Sequence, residues 1–200
     1  MFDRVGSTSW SGRHTRAFSR LADLLAADGS AGAPRVLVVG PGAVTRLMRP
    51  LLRDASVDRP GRLRGRLRDL ARYADQFLRR VVVLPLVSPE MIELRAALPS
   101  ARWIVVDRSR RVLRAVKRDV PAADCIRADL STTPLPQQAD VVVAFNVVPR
   151  TRSPQRATQH VLAAVRPGGL LLVDDRTAET GLPGPPSFTP LGDKVYRRGP

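Results

Sequence analysis

The sequence of 200 residues alternates between short apolar runs and longer amphipathic stretches. The apolar runs, several of them rich in valine, have the length of buried strands and occupy 35–39, 81–86, 102–106, 141–145 and 170–174. A further strand is predicted at 124–128, directly before Asp129. The amphipathic stretches have helical spacing and occupy 14–27, 43–53, 62–80, 89–98, 109–119 and 153–165. This alternation predicts an α/β fold with a doubly wound, mainly parallel sheet and helices on both faces.

The same pattern indicates how the chain is organised. We expect a single domain over 1–200, with an N-terminal helical segment at 1–30, a helical insertion or lid at 50–88, and a short C-terminal extension at 176–200. A turn at 166–169 and a last strand at 194–198 are also predicted.

The predicted helix 62–80 is strongly basic, with leucines on one face and seven arginines on the other. A solvated outer face is the simplest interpretation of this helix. A lid over the site, a homodimer contact and a surface for an anionic partner remain alternatives.

Among the features of the composition, the net charge bears most on possible partners. The chain has 33 basic and 18 acidic residues, a net charge of +15, and Lys117 and Lys194 are its two lysines. So many arginines are typical of a GC-rich genome, but a polyanionic partner such as RNA would also be attracted. Nine aromatic residues leave few rings for stacking on single-stranded nucleic acid.

Targeting signals and cysteines point to the cytoplasm. Cys125 is the single cysteine, which fits a reducing compartment. The N-terminus has no apolar signal core, and no apolar run reaches the roughly 18–20 residues that span a bilayer. We therefore expect a cytoplasmic protein with no membrane association.

Polar residues follow several predicted strands directly. They are Gly40-Pro41-Gly42, Asp107, Asp129 and Asn146. Ligands of open α/β sheets bind beyond the carboxyl ends of the strands, so these residues are candidates for one site. Taken singly, each has a structural alternative: a tight turn for the glycines, a helix cap for Asp107, and turn residues for Asp129 and Asn146.

Together these stretches resemble the class I S-adenosylmethionine-dependent methyltransferases. The matching segments are VLVVGPGAV (36–44), ARWIVVDRSRRVLRAV (101–116), CIRADLSTTPLP (125–136), ADVVVAFNVV (139–148) and VLAAVRPGGLLLVDD (161–175). The resemblance implies a Rossmann-like fold and S-adenosylmethionine as cofactor, with S-adenosylhomocysteine as product.

The resemblance also implies roles for the candidate residues. The turn of Gly40, Pro41 and Gly42 would wrap the methionine part and ribose, and Asp107 would hold the ribose hydroxyls, with Arg108 beside it. The other three residues would lie at the adenine and at the reacting centre. Asp129 would contact the adenine and Leu130 would pack against it, whereas Asn146 would lie near the sulfonium and substrate.

The first glycine motif departs from the family. The acid that usually stands two residues before the first glycine is Val38 here, and a common third glycine is Val44. Both positions serve the methionine ammonium and carboxylate in the family, so either the affinity for the cofactor is reduced or that task lies elsewhere in the chain. Gly42 and Asp107 are 65 residues apart, far above the ~20 of a dinucleotide-binding unit, which is why 50–88 is interpreted as an insertion.

Other functions were compared with this one. A nicotinamide oxidoreductase is disfavoured because Thr45 replaces the third glycine of the fingerprint and no Tyr/Lys pair or catalytic histidine stands out. A protein that keeps the fold without methyl transfer, as a rearrangement enzyme, cyclase or interaction module, is a second alternative. Among methyltransferases, a small-molecule acceptor is favoured slightly over RNA, and Asn146-Val147-Val148-Pro149 is not an Asn-Pro-Pro-Tyr-type tetrad.

No catalytic residue could be assigned. His160, His14 and Cys125 are the candidates by residue type, and a structural position is the preferred interpretation for each. No metal site is expected.

Overall fold

The structure is a computed structural model that describes residues 14–29, 32–45, 85–136, 138–145, 147–173 and 187–200. The predicted basic helix 62–80, with its lid and homodimer interpretations, lies outside these residues, as does Asn146.

Nine strands and four α-helices occupy the described residues. The strands are β1 (Arg35–Val39), β2 (Ala43–Thr45), β3 (Pro85–Val87), β4 (Arg102–Asp107), β5 (Asp124–Arg127), β6 (Ala139–Ala144), β7 (Val165–Val173), β8 (Phe188–Pro190) and β9 (Val195–Arg198). The helices are α1 (Thr15–Ala27), α2 (Pro89–Ala97), α3 (Arg110–Asp119) and α4 (Pro154–Ala164), with a 3₁₀ turn at Val148–Arg150.

Seven strands form the main sheet, in the order β5-β4-β1-β6-β7-β9-β8. The first five are parallel, whereas β9 pairs antiparallel with β7 and β8 with β9. The chain runs outward from β1 through β4 to β5, then returns to the other side of β1 as β6. The strand order therefore reverses at β1, which is where ligands of this architecture bind.

Both faces of the sheet are covered, because alternate residues of each parallel strand point to opposite sides. Val36 and Val38 of β1 pack into a core with residues of α1, α2 and α3. Leu37 and Val39 pack into a second core that includes residues of α4. This is the mainly parallel, doubly covered sheet that the apolar runs predicted.

Helix boundaries follow from local chemistry. Ser88 caps α2, and its Oγ accepts a hydrogen bond from Met91 N. Ser109 caps α3 in the same way through Val112 N. At α3 the buried side is formed by Val112, Leu113, Ala115 and Val116, while Lys117 and Arg118 lie in the last turn near the negative end of the helix dipole.

Two local predictions need correction. The helix predicted at 43–53 is wrong at its start, because 43–45 is a strand that pairs antiparallel with 85–87. The turn predicted at 166–169 is part of β7, where a register shift between Ala139 and Val141 accommodates the extra residues as an irregularity. Hydrogen bonding to a distant segment overrode local preference in each case.

Candidate functional site

A cleft opens at the carboxyl ends of β1, β4, β5 and β6, where the strand order reverses. Its described lining residues are Gly40, Gly42, Val106, Asp107, Arg108, Ala128, Asp129, Leu130, Phe145, Val147, Arg150, Thr151 and Arg152. The cleft combines an apolar floor with two carboxylates and three guanidinium groups, so it suits a ligand that has both apolar and polar parts.

The turn after β1 forms one wall of the cleft. Gly40 has φ +61°, and a Cβ there would lie 2.6 Å from Val147 Cγ2. The Gly40 amide donates to Val106 O at 2.8 Å, which fixes the turn to the end of β4. Glycine is therefore required at position 40 for its backbone conformation and for its close approach to Val147.

Asp107 ends β4 and is half-buried in the cleft. Its Oδ1 accepts a hydrogen bond of 2.7 Å from Ser109 N. The alternative that Asp107 caps the following helix is wrong, because Ser109 is the cap residue. The short turn instead orients the Asp107 carboxylate at the strand end.

Asp129 follows β5 and has both a structural and a cleft-lining position. Its Oδ1 accepts from Ser131 N at 2.8 Å, and its carbonyl accepts from Thr132 N and Thr133 N. The turn interpretation is therefore correct, and the residue nevertheless lines the cleft beside Leu130.

The two walls of the cleft are tied together beside Leu130. Ser131 Oγ accepts hydrogen bonds from Arg152 N and Ser153 N, at 3.1 and 3.3 Å. His160 Nδ1 lies 2.8 Å from Leu130 O, which joins α4 to the same loop. This contact gives His160 the structural position that was expected.

Residues 147–152 form a wall of the cleft that the sequence pattern did not predict. Val147, Arg150, Thr151 and Arg152 line the cleft directly after β6. Only their position after a strand could have indicated this. Residues that follow a parallel strand lie at the edge of the sheet where ligands bind, as the glycine turn does.

A second, smaller cavity adjoins the cleft. Gly40 and Phe145 line both spaces, and Pro41 lines the smaller one rather than the cleft. Its remaining described lining residues are Phe18, Val38, Val39, Ser88, Glu90, Met91, Leu94 and Val143. Sequence reasoning missed this cavity because its wall combines α1, α2 and two strands.

His14 and Glu90 meet beside this cavity. Nε2 of His14 lies 3.1 Å from Oε1 of Glu90, at ion-pair distance. Neither atom satisfies hydrogen-bond geometry with a described residue, and His14 Nδ1 is likewise without such a bond. The His14 ring stacks on Phe145, with centroids 3.9 Å apart and 9° between the ring planes. His14 is buried and lines neither space, so its predicted structural position agrees with this geometry.

The predicted site residues are thus largely brought together. Gly40, Gly42, Asp107, Arg108, Asp129 and Leu130 line one cleft, Pro41 faces the smaller cavity, and Asn146 lies outside the described residues. Cys125 is in β5 away from both spaces, and burial raises the pKa of its thiol, an effect that Lys117 partly opposes and Asp124 reinforces.

The described part of the chain offers neither a metal-binding cluster nor a membrane-spanning helix. It contains no group of three or more His, Cys, Asp or Glu residues placed to hold a metal ion. None of its helices is long and apolar enough to cross a bilayer.

Residues 87–173 match the family model described as a methyltransferase domain. This match and the sheet order confirm the resemblance: the chain has the Rossmann-like fold of the class I S-adenosylmethionine-dependent methyltransferases. No curated protein matches the sequence significantly.

Several solved structures are similar in fold. DesVI of Streptomyces venezuelae is 14% identical with a TM-score of 0.45, covering 81% of this chain and 50% of its own. The sugar N-methyltransferase KedS8 of Streptoalloteichus is 16% identical with a TM-score of 0.45, covering 82% and 49%. CalS10, an amino pentose methyltransferase of Micromonospora echinaspora, is 16% identical with a TM-score of 0.43, covering 80% and 49%. The chain spans about half the length of these proteins.

Proposed function

We propose that the protein is an S-adenosylmethionine-dependent methyltransferase that acts on a small molecule. The observation that carries this proposal is the single cleft that brings the Gly40 turn, Asp107, Asp129 and Leu130 together at the reversal of strand order. The methyltransferase-domain match supports S-adenosylmethionine as the cofactor.

The residues present fit such a cofactor. Gly40 lets the turn pack against Val147, where a Cβ would clash, and it adds no side chain to this wall of the cleft. Asp107 offers a carboxylate to ribose hydroxyls, Asp129 offers one to the adenine amine, and Leu130 offers an apolar surface to the base. Arg108 lies beside Asp107 at the rim of the same cleft.

When bound, S-adenosylmethionine supplies a methyl group already activated by its sulfonium. The work of the chain is therefore to bind, align and exclude water, since holding two reactants in line supplies most of the acceleration. A general base is needed only for an acceptor that must lose a proton. His160 and His14 both lie outside the lining of the cleft, so neither is assigned this role.

RNA is the alternative acceptor, and the three arginines on the cleft support it. Arg108, Arg150 and Arg152 line the cleft in a chain of net charge +15. Phosphate contacts would make acceptor binding fall steeply with salt, whereas binding of an uncharged small molecule would change little.

Titration calorimetry with S-adenosylhomocysteine is the first test of the proposal. We expect micromolar binding at a single site, followed by methyl transfer from labelled S-adenosylmethionine to one member of a panel of small amines, phenols and sugars. Absence of binding at millimolar ligand contradicts the cofactor. Binding with transfer to no acceptor in the panel or in total RNA favours a protein that keeps the fold without methyl transfer.

A further inference from the structure

Glu90 is a buried acid whose burial the stability of α2 does not explain. It is 9% exposed and is the one charged residue among the described residues that line the smaller cavity. As an acid in the first turn of α2 it would interact favourably with the helix dipole, but that interaction works equally well at the surface. Helix stability therefore explains the residue type and leaves its burial unexplained.

Burial of an ionised carboxylate is costly unless a cation or hydrogen-bond donors compensate it. Within the described part of the chain, Glu90 Oε1 accepts no hydrogen bond, although His14 Nε2 lies 3.1 Å away. The imidazole is stacked on Phe145, and neither of its ring nitrogens forms a hydrogen bond with a described residue. The carboxylate thus retains capacity to accept from a further donor.

The smaller cavity places Glu90 next to the cleft. Gly40 and Phe145 form walls of both the cavity and the cleft, so the Glu90 side chain lies beside the turn that would hold the methionine part of the cofactor. Val38 lines the same cavity at the position where the family usually has an acid. An apolar side chain at 38 and a buried carboxylate from α2 therefore share one space.

We propose that Glu90 accepts the ammonium group of the cofactor's methionine part, the task left open by Val38. This proposal rests on the proposed function. An ammonium group offers three N–H donors and a positive charge, which suits a carboxylate in a largely apolar pocket.

The test compares two ligands on purified full-length protein by calorimetry. S-adenosylhomocysteine carries the ammonium group, whereas 5′-methylthioadenosine has the same adenosine thioether and lacks the amino acid part. In the wild type we expect S-adenosylhomocysteine to bind more tightly. In Glu90→Gln its affinity falls about tenfold to a hundredfold, while that for 5′-methylthioadenosine stays within about twofold.

Glu93→Gln is the matched control, since Glu93 is on the same helix and lines neither space among the described residues. Both affinities should remain at the wild-type value in this variant. Because the readout is a ratio of affinities in one protein sample, partial unfolding does not mimic the result.

Two outcomes separate this inference from the proposed function. If neither ligand binds the wild type, the proposed cofactor is wrong. If both bind and Glu90→Gln leaves their ratio unchanged, the cofactor stands and the role of Glu90 is overturned. A fall in the melting temperature of Glu90→Gln with an unchanged ratio would make Glu90 a structural partner of His14.

Discussion

The two ends of the parallel sheet use their acidic residues differently. At the amino end, Asp140 accepts from Arg35 N at 2.7 Å through Oδ2 and from Arg166 Nε at 2.5 Å through Oδ1, so both oxygens bind the protein itself. At the carboxyl end, Asp107 and Asp129 each direct Oδ1 to an amide two residues later while lining a cleft. Glu90 is buried there, and its Oε1 accepts no hydrogen bond from a described residue.

This difference separates acids that hold the fold from acids that face a ligand space. Asp140 joins β1, β6 and β7 where these strands begin, and removing it affects stability. The acids at the carboxyl end are oriented by short turns and point into shared spaces, and removing them is expected to affect binding first. Each prediction below tests one side of this contrast.

The largest effect is expected at Asp107. Asp107→Ala should reduce the affinity for S-adenosylhomocysteine at least ~100-fold, because two charged hydrogen bonds to a ribose would be lost. Asp107→Asn keeps an acceptor for Ser109 N and should lose about tenfold. Calorimetry measures both affinities, and a thermal melt checks the fold. An Asn variant with wild-type affinity would remove this carboxylate from the site.

Asp140→Ala tests the other end of the sheet. We expect a loss of about 2–3 kcal/mol in unfolding free energy, since the Arg35 amide and Arg166 guanidinium lose their shared partner. The melting temperature should fall by roughly 5–10 °C. Affinity for S-adenosylhomocysteine, measured well below the transition, should be unchanged. A clear loss of affinity would show that the two ends are coupled.

Gly40→Ala tests the backbone between the two spaces. A side chain at φ +61° and a contact of 2.6 Å with Val147 should together cost about 2 kcal/mol of stability. Adding Val147→Ala should restore the stability lost to the contact with Val147. The loss caused by the positive φ should remain. Denaturant unfolding of the two single variants and the double variant measures this coupling, and purely additive effects would contradict it.

The smallest effect concerns Cys125, which lies outside both spaces. Because burial raises the pKa of this thiol, less thiolate is present at pH 8 than in a free cysteine, and alkylation by iodoacetamide should be several-fold slower. The rate should continue to rise above pH 9. Lys117→Gln removes the charge that lowers this pKa and should slow the reaction further.

Saturating S-adenosylhomocysteine provides the control for the thiol experiment. It should not protect Cys125, since the ligand would occupy the cleft. Strong protection by the ligand would show that ligand binding affects β5. It would then contradict the separation of ligand-facing from structural regions.

The sequence by itself determined most of the sheet. Apolar runs of strand length predicted β1 at its observed bounds and β4 and β6 with small errors, because strands buried on both faces must be apolar throughout. For β7 they predicted the second half, and the strand begins five residues earlier, at Val165. Residues that follow parallel strands must meet at one edge, so Asp107 and Asp129 could be placed in one site from their positions alone. The Gly40 turn was accessible in the same way.

Tertiary structure alone decided the rest. The pairing of 43–45 with 85–87 depends on segments 40 residues apart, and no local pattern encodes it. The meeting of His14, Glu90 and Phe145 likewise joins three distant parts of the chain. Glu90 looked like an ordinary helix-start acid, because a sequence shows the type of a residue and only packing shows whether its charge is buried.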